Sequence, residues 1–373
     1  MNPSLEAACA PYWRARPRSF RLTLAVSVAL CVALTGHAAE APLRAAEAPR
    51  AAEHARLAAH SLLIGLARAG ERLVAVGDRG IIVLSDDRGS SWRQADTVPT
   101  QALLTGVCFF DAQHGIAVGH DEVILVTADA GVSWQRTHYA PEAQQPLLDV
   151  WCGSGGHAIA IGAYSAYFSS TDGGASWSAV RFNPTPAPRA SAPASAAAAP
   201  AAADDGKNGY HLNRIVAASD TRLYIAAEAG HLYRSDDAGA TWRELVSPYQ
   251  GSFFGVLPLG PDAVLAFGLR GNLFRSVDAG ASWQRIATGT VALLGGGTRF
   301  GTDGAAVVGL AGVVLVSRDG GRTFSLEQQP DYTGLASVLS VGNEQLAVTG
   351  EVGARVISLF SVAPAAAAAP GAH

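Results

Sequence analysis

A single lysine, Lys207, occurs in the 373-residue chain, and charged residues of both signs make up 16% of it, well below the roughly 25% usual in soluble proteins. The formal net charge is −4, which excludes a polyanion-binding surface. Cysteine is scarce, with four residues. Beyond an N-terminal leader no stretch reaches the ~18 consecutive apolar residues of a membrane span, because glycine and charged residues interrupt every strand-like segment. A His-Glu-x-x-His zinc helix, a phosphate-cradling loop and a serine nucleophile elbow are all missing. What the chain has in quantity is apolar residues, at 49%, and 41 glycines, so disorder throughout is also excluded.

The leader carries Arg14, Arg16, Arg18 and Arg21, an uncharged run from Leu22 to Thr35, then Gly36-His37-Ala38. This predicts a signal peptide over residues 1–38 and an exported, periplasmic or lumenal, mature protein. Cys31 follows Leu30 rather than a small residue, so lipidation is not expected. Cleavage leaves 23 basic and 30 acidic residues, a net of −7, and nucleic acid is not an expected partner. Cys108 and Cys152 remain, in a compartment that permits disulfides. Placed at one register of neighbouring repeats, they are expected to point the same way and stay as two buried free thiols.

Internal repetition decides the fold class. The frame Ser/Thr-x-Asp-x-Gly-x-x-aromatic runs from Ser85 to Trp92 and returns at Thr127–Trp134, Ser170–Trp177, Ser235–Trp242, Ser276–Trp283 and Ser317–Phe324. Its aromatic ends lie 42, 43, 65, 41 and 41 residues apart. Ahead of each frame come three Val- and Ile-rich runs bounded by Gly and Asp, as in Leu104–Phe110, Gly115–Gly119 and Val123–Thr127, which read as strands. A seventh copy, from Leu335 through Gln345–Gly350 to Leu359, has no frame. Seven units of four strands describe an all-β, seven-bladed β-propeller over residues 59–362. Residues 39–58 could supply a ring-closing strand to the incomplete last blade. The 65-residue gap holds an Ala/Pro-rich stretch, 183–210, expected to be a flexible insertion between blades 3 and 4; the tail 363–373 has the same composition.

The frame resembles the Asp-box of the bacterial neuraminidase repeat, a folded turn between third and fourth strands. Asp87, Asp129, Asp172, Asp237, Asp278 and Asp319 can each accept hydrogen bonds from their own turn, while Trp92, Trp134, Trp177, Trp242, Trp283 and Phe324 wedge between sheets. Distributed around a ring, the six carboxylates cannot converge on one ion, so no metal and no cofactor are expected. A sialidase needs three arginines around a carboxylate and a Tyr–Glu nucleophile; its early Arg-Ile-Pro is absent, the nearest text being Arg214-Ile215-Val216. Seven units also exceed the six blades of that fold. No enzymatic activity is expected, with a sialidase-like glycoside hydrolase or glycan-binding propeller as the alternative.

The combined pattern of the second unit, from Phe110-Asp111 through Gly115–Gly119 to Trp134, is similar to the photosystem II stability/assembly factor family. That resemblance implies an exported, non-catalytic, chaperone-like propeller that helps assemble or stabilise a membrane-protein complex. The sequence departs from the family in the Ala/Pro insertion and in having few basic residues.

In a four-strand blade the box turns leave on one face, and the second-to-third turns and inter-blade links on the other. Partner-binding candidates therefore sit on that second face: Asp78, Arg79, His120, Asp121, Tyr164, Glu228, Arg270 and Glu351 at the turns, and Tyr139, Tyr249, Phe253, Phe254 and Tyr332 in the links. Arg and aromatic residues are enriched at protein interfaces. The expected partner is a membrane-protein subunit held by a soluble monomer.

Overall fold

The computed structural model describes residues 50–187, 209–342 and 344–359. The expected leader, Lys207, most of the 183–210 insertion and the tail lie outside them. Seven antiparallel sheets are present, six of four strands and one of three, each in consecutive order. Blade 2 is representative: Leu104–Phe109, Gly115–Gly119, Ile124–Thr127 and Gln135–His138 run from the innermost strand outward. Apart from Arg72 and Gln345 at their starts, the second strands are buried, as in Gly115–Gly119 and Ala158–Gly162, because each is covered by a neighbouring sheet on both faces, which is why they read as continuous apolar runs rather than alternating ones.

Adjacent blades share apolar clusters. Val74, Ile82 and Leu84 of blade 1 pack with Leu104, Leu125 and Trp134 of blade 2. Leu73 of blade 1 packs with Val341 and Ala347 of blade 7, joined by Leu66, Trp92 and Val356. The ring thus closes by side-chain packing between blades 7 and 1. Among the described residues blade 7 has three strands, Leu335–Gly342, Gln345–Gly350 and Gly353–Ser358.

The ring-closing strand expected within 39–58 is not formed by its described part. Residues 50–57 contain no strand and lead into a 3-10 turn at Ala58–His60. They run along blade 1 instead, with Ala55 N–H donating to Gln94 Oε1 at 2.9 Å and Ala52 N–H to the Val98 carbonyl at 2.8 Å. The alanine-rich segment has too little β propensity to compete for an edge, and satisfies its backbone through side chains and a link. The start of the insertion is likewise anchored rather than loose: Thr185 N–H donates to the Trp242 carbonyl at 2.9 Å and its carbonyl accepts from Glu244 N–H at 2.8 Å, extending the outer edge of blade 4.

The free-thiol expectation is also corrected. Cys108 and Cys152 form a disulfide, with Cα atoms 5.7 Å apart. Their registers are not the same. Cys108 pairs with Ile116, and the matching position in blade 3 is Trp151, paired with Ile159. Cys152 lies one residue further on, and a shift of one reverses the side chain across the pleat. Cys108 therefore faces blade 3, Cys152 faces blade 2, and the two meet in the seam. The double variant Cys108→Ser/Cys152→Ser is expected to lose about 2–4 kcal/mol of unfolding free energy in urea titration; an unchanged midpoint would contradict the cross-link.

Candidate functional site

The six boxes are one turn built six times. In the first, Asp87 Oδ1 accepts from Ser85 Oγ at 2.8 Å and Ser91 N–H at 2.9 Å, while Oδ2 accepts from Ser91 Oγ at 2.6 Å. Asp129, Asp172, Asp237, Asp278 and Asp319 repeat all three contacts. Each box glycine then lies against the preceding blade, Gly131 on Leu84 and Val74, Gly239 on Ile159 and Tyr167. Trp92, Trp134 and Trp177 donate Nε1–H to their own box glycine carbonyl. The carboxylates are used up within their turns, and among the described residues no group of three His, Cys, Asp or Glu could hold a metal ion.

These contacts set the acid limit of the fold. Hydroxyl and amide donors of Ser91, Ser176 and Ser282 hold Asp87, Asp172 and Asp278 at about 2. Burial works against the ionised form at Asp319, yet Thr323 and Ser317 still bring it to about 2, and Asp129 and Asp237 are lowered in the same way. A folded-state pKa below the unfolded value of roughly 3.9 stabilises the fold above that pH and ceases to do so on acidification. The box contribution to stability is expected to fall as pH drops from about 5 towards 2, read by circular dichroism with urea; no slope in that window would contradict the box geometry.

On the opposite face, six of the seven hairpin tips share one conformation. Arg79, Asp121, Tyr164, Ala229, Arg270 and Ala311 occupy the left-handed region with φ between 50° and 60°. They are followed by glycine in four blades, but by Glu122 (φ 49°) and Ser165 (φ 60°) in blades 2 and 3. Two consecutive positive φ values make the turn that matches strand twist. The first glycine of each Gly-x-x-Gly pair has another reason: at Gly268 a Cβ would lie 2.3 Å from the Ser252 carbonyl, where the inter-blade link crosses.

The sequence-derived candidates separate on this face. Arg79, His120, Arg270, Glu351 and Tyr332 are exposed, and Asp78, Asp121, Tyr164 and Glu228 half-buried. Asp78 pairs with Arg79 at 3.2 Å. Glu228 accepts from His211 N–H and Glu351 from Gly334 N–H, so these two tie tips to links. Tyr164 makes an edge contact with His211. Tyr139 lies under Arg136, its ring centroid 5.0 Å from the guanidinium carbon. Tyr249 is packed on Phe253 and Phe274. Phe253 is not exposed for docking: it is fully buried at the start of Phe253–Pro258, edge-on to Tyr249 and Phe274. A bulge lies between residues 253 and 255, and Phe254 is half-buried where Phe253 is fully buried. Arg79 and Arg270 sit on blades 1 and 5, too far around the ring to share a ligand.

Apart from Tyr332, the exposed apolar residues are not among the sequence-derived candidates. Seven of the eleven large ones among the described residues, Leu62, Tyr210, Val246, Val291, Leu310, Tyr332 and Val352, lie in tips and links of this face. Over blades 5 to 7 they form an arc, with Val291 at 84% and Tyr332 at 65% exposure. Leu310 packs on Gly334, which joins the tips of blades 6 and 7. No sequence rule separates an exposed link valine from a wedge.

The family described as "Photosynthesis system II assembly factor YCF48" matches residues 84–206. The solved structure titled "YCF48 bound to D1 peptide" superposes with a TM-score of 0.62 at 15% identity, over 84% of this chain and 99% of that one. Its fold is that of a seven-bladed propeller like this one, and the family match covers about a third of the chain. YCF48 from Cyanidioschyzon merolae superposes at 0.60 with 14% identity, over 80% of this chain and 95% of that one. The WD40 propeller of Doa1 follows at 0.58 and 11%, over 83% and 96%, so architecture alone does not separate assembly factors from other propellers. No curated protein matches the sequence significantly.

Proposed function

We propose that this chain is an exported, non-catalytic scaffold whose tip-and-link face holds an extramembrane segment of a membrane-protein subunit during assembly. One observation carries the reading: most of the exposed large apolar side chains collect on the face opposite the boxes, and contiguous exposed apolar surface marks interaction sites. The similar propeller solved as YCF48 bound to D1 peptide supports a peptide segment of a membrane protein as the client class. Arginines spread over separate blades support a binding surface rather than a carboxylate clamp. The net charge of −7 in the mature chain favours a client segment that combines apolar and basic residues.

The purified protein, incubated with detergent-solubilised host membranes and crosslinked, is expected to retain a defined membrane protein, and Tyr332→Ala/Val291→Ser to retain at least about tenfold less. Equal retention by the variant, or binding on a glycan array without any membrane-protein partner, would overturn the scaffold reading.

A further inference from the structure

Blade 7 leaves a strand edge unpaired among the described residues. Its third strand, Gly353–Ser358, pairs with Gln345–Gly350 through Gly350↔Gly353, Val348↔Arg355 and Leu346↔Ile357. A two-residue hairpin closing on Gly350 and Gly353 makes those the mutually bonded pairs, so the N–H and C=O of Ala354, Val356 and Ser358 point outward. In other blades the equivalent edge is occupied. The Ile82 carbonyl accepts Ala95 N–H at 2.9 Å, Tyr167 accepts Val180 at 2.9 Å, and Leu232 accepts Leu245 at 2.8 Å. Ala354 holds the same place and has no such donor among the described residues.

This strand is fixed on every other side. Ala354 and Val356 pack toward Trp92 of blade 1, and Arg355 reaches Asp331 at 3.0 Å on the blade 6 side. At Gly353, with φ 90°, the Ala59 carbonyl would lie 1.8 Å from any Cβ, so the 3-10 turn at Ala58–His60 braces the rim end. An open edge held in place in this way is a template for another strand.

Two of the chain's own segments are poor occupants. Residues 50–57 run along the outer strand of blade 1, away from blade 7. The sequence after the strand, Phe360 to His373, contains no Ser/Thr-x-Asp-x-Gly-x-x-aromatic corner, the device that returns each of the other six third strands into a fourth. The rim end of the edge begins next to exposed Val352, one of the tip residues proposed to hold the client.

We infer that blade 7 completes its sheet with an extended strand donated by a partner protein, bonded to Ala354, Val356 and Ser358, with apolar side chains at its rim end. Main-chain bonds would supply the affinity and the rim residues the selectivity. The partner's identity as the client rests on the scaffold reading, whereas the strand addition rests on the edge itself.

The test uses the purified full chain, amide hydrogen exchange, and a synthetic octapeptide alternating valine and threonine between terminal lysines. In the free protein the amides of Ala354, Val356 and Ser358 are expected to exchange about a hundredfold faster than those of Arg355 and Ile357. The octapeptide slows the three by at least about tenfold. Alternate N-methylation of its bonding edge, or Val356→Pro on the protein, weakens binding by about tenfold; methylation is informative even if the proline variant does not fold. Protection already present in the free chain and lost on deleting residues 360–373 would overturn the inference in favour of the chain's own segment. Protection that grows with protein concentration alone would overturn it in favour of a second copy, and no slowing by the octapeptide would overturn it outright. A rim variant that loses the membrane protein while still binding the octapeptide leaves the strand addition standing, and failure of the octapeptide with client capture intact leaves the scaffold reading standing.

Discussion

Asp149→Leu is expected to lower the unfolding free energy by about 3 kcal/mol, and Asp149→Asn by about 1 kcal/mol, in urea titrations at neutral pH. Asp149 lies on the inner strand Leu147–Cys152, at the register where four other blades have Gly65, Gly106, Gly255 and Gly296. Its side chain reaches across the seam to blade 4, accepting from Ile215 N–H at 2.9 Å and lying 3.5 Å from Arg214 Nη1. Leucine leaves a buried N–H and a guanidinium without their acceptor, and the cost is that of the stranded donors rather than of the lost attraction. Asparagine keeps an acceptor. Burial pushes the Asp149 carboxyl above its ordinary range, against the pull of Arg214 and two backbone N–H groups. A raised folded-state pKa disfavours the fold as pH rises through it, opposite in sign to the boxes. Asparagine removes that charge, which is why its loss is the smaller. Equal losses for the two variants would show that Asp149 acts only by filling space.

Trp242→Ala is expected to cost about 3–5 kcal/mol, and Trp242→Phe about 1 kcal/mol. The indole is buried, donates to Tyr167 Oη at 3.1 Å, and lies edge-on to the Tyr167 ring of the preceding blade. Tyr167 in turn donates to the Gly239 carbonyl of the same box at 2.9 Å. The alanine variant empties the wedge and breaks the bond; the phenylalanine variant only breaks the bond. Trp283 supplies the control, since its Nε1–H has no hydrogen-bond partner among the described residues. Trp283→Phe should leave the chemical denaturation midpoint close to wild type, and a cost matching that of Trp242→Phe would show that the hydrogen bond is not what distinguishes them.

The box frame was readable in the sequence because it is short-range: a serine or threonine, an aspartate and a glycine close one turn by themselves, so its recurrence gives the blade spacing, the strand order and the face each turn occupies. The missing frame after Leu359 likewise marked blade 7 as incomplete. Long-range pairing was less legible. Cys108 and Cys152 are 44 residues apart, whereas Gly119 and Gly162, at matching tips, are 43 apart. That single residue decides whether two cysteines face the same way or each other. The choice between Phe253 and Phe254 was hidden by the bulge, which breaks the alternation on which a strand reading depends. Asp149 and Arg214 interrupt a glycine column, but only the seam between blades 3 and 4 shows that they meet. The apolar arc was not visible because exposure of Val291 or Leu310 depends on where the neighbouring link crosses.

The most direct test places a photocrosslinking residue singly at Val291, Tyr332 and Val352 on one face and at Arg88, Asp236 and Arg322 on the other, in cells. The account predicts that one membrane protein crosslinks at the first three positions and at none of the second three. Crosslinks concentrated on the box face, or spread equally over both, would contradict it.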